Sequence, residues 1–156
     1  MQTFDPKYAE LYIANTQNAV GKLDALLNET RGELSDLAGR RVAVMNEALV
    51  YPAQDYALEI AGFIGRESGE NMLGQALEKC LEQLSGMEAE VLLIEKQAPG
   101  AFVEALEAKG YAVARLDVLS TRREGEGFDD YIEIMRGNAR AIRAAFDRAD
   151  AGRDGQ

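Results

Sequence analysis

Four short apolar runs, each followed by a stretch of helical spacing, constrain this chain more than any other feature. The runs are Arg41 to Met45, Ile60 to Gly65, Glu90 to Glu95 and Tyr111 to Asp117. Val42-Ala43-Val44-Met45 and Val91-Leu92-Leu93-Ile94 are apolar at consecutive positions. A strand with one wet face would alternate, so these runs read as strands covered on both faces. Between them lie Tyr51 to Leu58, Met72 to Leu84 and Pro99 to Lys109, and Phe128 to Phe146 follows the last run. In these stretches apolar residues recur three and four apart, as in Leu73, Leu77, Cys80, Leu81 and Leu84. Strand–helix alternation implies parallel strands with right-handed crossovers and helices on both faces. The expected fold class is therefore α/β: a four-stranded parallel sheet in the order 2-1-3-4, Rossmann-like, with helices on both faces.

A long helix precedes the first strand, predicted from about Pro6 to Ala38. Asp5 suits the N-cap and Pro6 the first helical position. Tyr8, Leu11, Tyr12, Ala19, Val20, Leu23, Leu26, Leu27, Leu34 and Leu37 form one apolar stripe. Such a helix would be roughly 50 Å long, more than one small sheet needs to cover it. Gly21 and Gly32 each weaken it by about 1 kcal/mol relative to alanine. The chain divides into a long helix over 1–38, an α/β lobe over 39–147 and a polar tail over 148–156. Arg66 to Asn71 and Ser120 to Gly127 read as polar loops, and Gly110 as the glycine ending a helix.

Charge and residue usage exclude several functions. The formal net charge is −10, which argues against nucleic-acid binding, since phosphate contacts need clustered Lys and Arg. There is no histidine, so neither a His-built zinc site nor a Ser-His-Asp triad is available within the chain. The lone cysteine, Cys80, falls on a helix's apolar face and reads as a core residue. No stretch approaches 18 apolar residues, so no membrane insertion is expected. The opening Met-Gln-Thr-Phe-Asp-Pro does not have the form of a signal peptide. A chain complete as given is expected in the cytoplasm. The glycines after the second strand fit neither G-x-G-x-x-G nor a P-loop.

What remains is a set of polar residues where strands end. Asn46 and Glu47 follow the first strand, Glu95 ends the third, and Asp117 closes the fourth. In open parallel sheets these ends face the ligand crevice. Carboxylates there can act as acid and base or hold hard cations. The plainer alternative is that Asp117 caps a turn and Glu95 is solvated or bonded to backbone. An enzyme using Asp117 with Glu47 or Glu95 would lack any nucleophile–base motif.

Seven segments, in order, resemble one family. Asp5-Pro6-Lys7-Tyr8-Ala9-Glu10-Leu11-Tyr12 resembles the start of the linking helix in zinc and manganese ABC-transporter solute-binding proteins. Gly39 to Leu49 is similar to that family's "G+.fvv.HdAF" segment, Ile60-Ala61-Gly62-Phe63 to its "v.gv" strand and Glu67-Ser68-Gly69-Glu70 to its following loop. Leu92-Leu93-Ile94-Glu95-Lys96-Gln97 is similar to ".if.E.qf", Ala114 to Leu119 to "v..lDpl", and Asp130 to Asn138 to "dYl.mmr.N".

The resemblance implies two lobes joined by one long helix, with Zn²⁺ or Mn²⁺ bound between them and delivered to a membrane permease. It assigns this sequence to the linking helix and the C-terminal lobe of a periplasmic or lipid-anchored metal receptor, a binding protein and not an enzyme. The C-lobe ligand positions of the family fall on Asn46, where the family has His or Glu, and on Asp117. Glu47 is an adjacent candidate. An amide oxygen is a weaker ligand than imidazole or carboxylate, so the metal site is expected to be incomplete or lost. Oxygen donors alone shift preference from Zn²⁺ towards Mn²⁺, Mg²⁺ or Ca²⁺, bound weakly or not at all. The implied partners are an N-terminal lobe or a second copy of the chain, and an ABC permease. The alternative is a diverged stand-alone Rossmann-like interaction module without metal binding.

Overall fold

The computed structural model describes residues 8–65, 74–119 and 127–154. The expected cap at Asp5 and Pro6, the loop over 66–71, Met72 and the loop over 120–126 lie outside the described residues. Helix α1 spans Ala9–Glu33 and leads through a 3-10 turn, Ser35–Leu37, into strand β1, Arg41–Val44. A second 3-10 turn, Glu47–Leu49, and helix α2, Val50–Asp55, connect to β2, Glu59–Phe63. Then follow α3 (Gln75–Ser85), β3 (Val91–Glu95), α4 (Gly100–Glu107), β4 (Ala112–Leu116) and α5 (Phe128–Asp154). The four strands are parallel throughout and lie in the order β2-β1-β3-β4. This is the architecture and strand order that the sequence predicts.

Side chains alternate across a strand, and that alternation splits the core into two layers. Val42, Val44, Val91, Leu93, Ala114 and Leu116 face α5, α2 and the end of α1, packing on Leu34, Leu49, Ile142 and Phe146. Ala43, Leu92, Ile94 and Val113 face α3 and α4, packing on Cys80, Leu84, Phe102 and Leu106. Both faces of β1 and β3 are therefore dry, which is why their sequences are apolar without alternation. Burial pushes the Cys80 thiol up to about 11, in keeping with a packing role. Gly39 and Gly110 take φ of +79° and +87° just before β1 and β4, turning the chain from helix into strand.

Helix α2 ends at Asp55 and α4 at Glu107, short of the expected Leu58 and Lys109, and the first and last helices differ further, each for a local reason. The first helix does not run on to Ala38. It stops at Glu33, Leu34 leaves helical geometry at φ −108°, ψ 7°, and a tight turn sinks Leu34 and Leu37 beneath the sheet. At about 37 Å it is shorter than the roughly 50 Å expected. The closing helix, by contrast, does not give way to a tail at Asp147. It continues to Asp154. Its apolar face carries on through Ala145, Phe146 and Ala149. Its last turns are tied to the amino edge of the sheet by Arg40, which bonds Glu90 at 2.5 Å and Asp150 at 2.6 Å and lies 4.4 Å from the Phe146 ring centroid. Arg153 adds a 2.7 Å bond to Glu90.

Helices α1 and α5 run parallel, held by a ladder of ion pairs. Lys22 pairs with Asp129 at 2.6 Å, Glu29 with Arg136 at 2.8 Å, and Asp36 with Arg143 through a 2.9 Å bond. Lys22 and Glu29 on α1, and Asp36 in the turn just after it, advance by seven residues in step with Asp129, Arg136 and Arg143 on α5, the spacing that keeps one helix seam in contact. Each pair is largely exposed and contributes little energy. Together they fix which way α1 leaves the lobe. The Lys22 rung lies at the start of α5, so α1 continues roughly 20 Å past it. Along that length Leu11, Tyr12 and Ile13 are 55%, 55% and 57% exposed, and of the predicted stripe Leu26, Leu34 and Leu37 are buried while Val20 and Leu27 remain exposed.

The Arg40 junction predicts a stability loss. Replacing Arg40 with methionine leaves half-buried Glu90 with one guanidinium fewer, and urea unfolding should show a loss of about 2–3 kcal/mol. The junction also sets an acid limit. Burial pushes the Glu90 carboxyl up, but hydrogen bonds from Arg40, the Arg41 amide and Arg153 outweigh it and hold it low. Arg40 likewise holds Asp150 low. Depressed carboxyls stabilise fully above their unfolded pKa of about 4, and that stability is lost as pH falls through the folded values. The thermal midpoint should therefore hold at pH 5–7 and drop below about pH 4, less steeply in Arg40→Met.

Candidate functional site at the carboxyl edge of the sheet

All four strands end on the same edge because all are parallel. Val44 lies beside Leu93, and Glu95 beside Leu116. That register brings Asn46, Glu95, Lys96 and Asp117 to neighbouring strand ends. With strands about 4.8 Å apart, the ends of β1 and β4 are roughly 10 Å from each other.

Asn46 leaves β1 in extended geometry, φ −150° and ψ 144°, and caps the 3-10 turn. Its Oδ1 accepts from the Ala48 amide at 2.8 Å, and its Nδ2 donates to Glu95 Oε1 at 2.7 Å. An amide N–H only donates and an ionised carboxylate only accepts, so these two partners fix the orientation of the side chain. One lone pair of Oδ1 is left beyond the Ala48 bond. Glu47 begins the turn and is exposed. The contact across the edge is therefore made by Asn46 with Glu95, while Glu47 stands in the surface turn.

Asp117 is held from below by α5. Its amide donates to Asn138 Oδ1 at 2.9 Å, and Asn138 Nδ2 donates back to its carbonyl at 2.9 Å. Asn138 is buried, which makes this closed pair of bonds costly to break. Asp117 Oδ1 accepts from the Leu119 amide at 3.0 Å, so the residue does cap its turn. Its Oδ2 lies 3.6 Å from Lys96 Nζ. Asp117 lines an open cleft of about 810 Å³ with Lys96, Arg115, Glu133 and Asn138. The Arg115 guanidinium donates to the carbonyls of Lys96 and Ala98, so it braces the loop after β3.

The edge thus offers oxygen donors: an amide and two carboxylates. Such donors suit hard cations. Among the described residues no three acidic or cysteine side chains converge to hold an ion. The residues form two groups: Asn46 bonds Glu95, and Asp117 meets both Asn138 and Lys96. Sequence reasoning singled out Asn46, Glu95 and Asp117 but passed over Asn138 and Lys96. The signal for Asn138 was a lone amide among the apolar residues of a helix.

The family described as zinc-uptake complex component A, periplasmic (ZnuA), matches residues 1–145. No curated protein matches the chain. Among solved structures it is similar to the SBP FpvC from Pseudomonas aeruginosa in complex with Mn²⁺, at TM-score 0.72 and 23% identity, over 93% of this chain and 55% of that one. Zn(II)-bound AdcA from Streptococcus pneumoniae gives TM-score 0.71 and 23% identity, over 91% of this chain and 32% of that one. The metal-dependent lipoprotein YcdH from Bacillus subtilis gives 0.69 and 23%, over 90% and 55%. At these identities the likeness establishes the fold. The chain spans about half the length of the first solved structures it matches.

Asn138→Ala should unfold at lower urea, with a loss of about 1–3 kcal/mol, because it strands the Asp117 amide and carbonyl. Amide exchange at Asp117 and Leu119 should rise more than in the centre of β3.

Proposed function

This chain belongs to the zinc-uptake complex component A family, and from that premise we propose that it is the linking helix and C-terminal lobe of an ABC-transporter metal receptor. It binds and does not catalyse. The metal ion is cargo, presented to a permease on the extracytoplasmic side of a membrane. The observation that supports this reading is the carboxyl edge of the sheet, where Asn46 after β1 and Asp117 after β4 stand on either side of the end of β3. Asp117 supplies a carboxylate on a backbone that Asn138 clamps. Asn46 supplies at most an amide oxygen, and Glu95 steadies it. Glu47 is the less favoured third ligand, since it stands in an exposed turn.

Two oxygen ligands do not hold a transition metal tightly. An N-terminal lobe would complete the site, and the part of α1 that runs past α5 is the surface for it. In its absence a second copy of the chain would cover Leu11, Tyr12 and Ile13. The second reading, an interaction module that has given up metal binding, draws on one specific observation. Asn46 turns its Nδ2 towards Glu95 and spends one Oδ1 lone pair on the Ala48 amide.

Calorimetric titration of this chain with Mn²⁺ and with Zn²⁺ should show no binding tighter than micromolar, and Mn²⁺ should match or exceed Zn²⁺. Sub-micromolar Zn²⁺ binding by the chain alone would contradict the half-site. Sedimentation at tens of micromolar should show self-association that Tyr12→Glu abolishes. A strict monomer would remove the case that α1 is a docking surface for a second copy.

A further inference from the structure

The residues at the carboxyl edge fit a bound divalent ion poorly, and the misfit has a definite chemical form. We propose that Lys96 is the resident counter-ion of Asp117: its ammonium stands where a divalent cation would bind, and it makes this edge a self-neutralised site. The inference rests on the reading of this edge as the C-lobe half of an ion site. The family resemblance marks Asp117 as a ligand position and leaves the residue after Glu95 open.

The Lys96 amide donates to the Leu116 carbonyl at 2.8 Å, extending the β3–β4 ladder by one step past the strands. Arg115 braces the next peptide unit by donating to the Lys96 carbonyl. The backbone of Lys96 is thus fixed next to the residue before Asp117, and its Nζ comes within 3.6 Å of Asp117 Oδ2. The other carboxylate oxygen is taken by the Leu119 amide. Both oxygens of Asp117 therefore have partners within the chain. A divalent ion reaching Asp117 must displace the ammonium or sit close to a like charge. The Lys96 side chain is 63% exposed, which makes it a mobile, salt-screened competitor and not a fixed block.

The test titrates the whole chain with Mn²⁺ alone and follows paramagnetic broadening of the Asn46, Asp117 and Asn138 amide signals. Lys96→Met should bind about fivefold more tightly than the unmodified chain at low salt, the scale of one exposed ion pair. The gain should shrink towards nothing in about 1 M NaCl. Lys96→Arg, which keeps the charge, should behave as the unmodified chain does. Asp117→Asn should weaken binding, and Lys96→Met combined with Asp117→Asn should show no gain over Asp117→Asn. If Lys96→Met titrates like the unmodified chain while Asp117→Asn is weaker, the counter-ion inference falls and the half-site stands. If Mn²⁺ broadens none of these signals in any variant, the half-site reading itself is overturned.

Discussion

Double-sided burial of β1 and β3 is the constraint on which the rest depends. Val42, Ala43 and Val44, and the four residues Val91 to Ile94, are buried whichever way they point. No antiparallel hairpin reaches that state without covering layers on both sides. The chain supplies those layers by crossing over after every strand: α2 and α5 with the end of α1 on one face, α3 and α4 on the other. Parallel crossovers in turn send every strand out on the same edge. Asn46, Glu95, Lys96 and Asp117 are neighbours for that reason, although up to 71 residues separate them in sequence.

The two edges of the sheet are built differently. At the amino edge, charges are matched and half-buried: Arg40 reaches Glu90 and Asp150 together, Arg153 reaches Glu90, and the Phe146 ring lies against the guanidinium. This edge locks the end of α5 onto the start of β1. At the carboxyl edge the polar groups meet in looser pairs beside an open cleft. Protein stability rests at one end of the strands and adaptable polar chemistry at the other, a division common to parallel sheets.

Helix α1 belongs to both the fold and the surroundings. Its last turns pack into the core through Leu26, Thr30 and the following Leu34, and the ion-pair ladder with α5 orients it. Farther out, the same apolar stripe continues into solvent. It runs from buried Leu26 to exposed Val20, Tyr12 and Leu11.

Sequence alone determined the fold class and the edge on which the polar residues gather, because period and alternation are local properties; the expected strand order is also the one the fold adopts. It also marked Asn46, Glu95 and Asp117, since each is the first polar residue after an apolar run. Tertiary structure decided the rest. That Asn46 bonds Glu95 and that Asn138 clamps Asp117 depend on register and helix placement, which no local pattern encodes. That the last helix outruns its expected end depends on Arg40 and Glu90, charges that look like solvated surface until the fold brings them within reach of Asp150. Whether a charged residue is a free tail or a structural tie is settled by its partners, and those are distant in sequence.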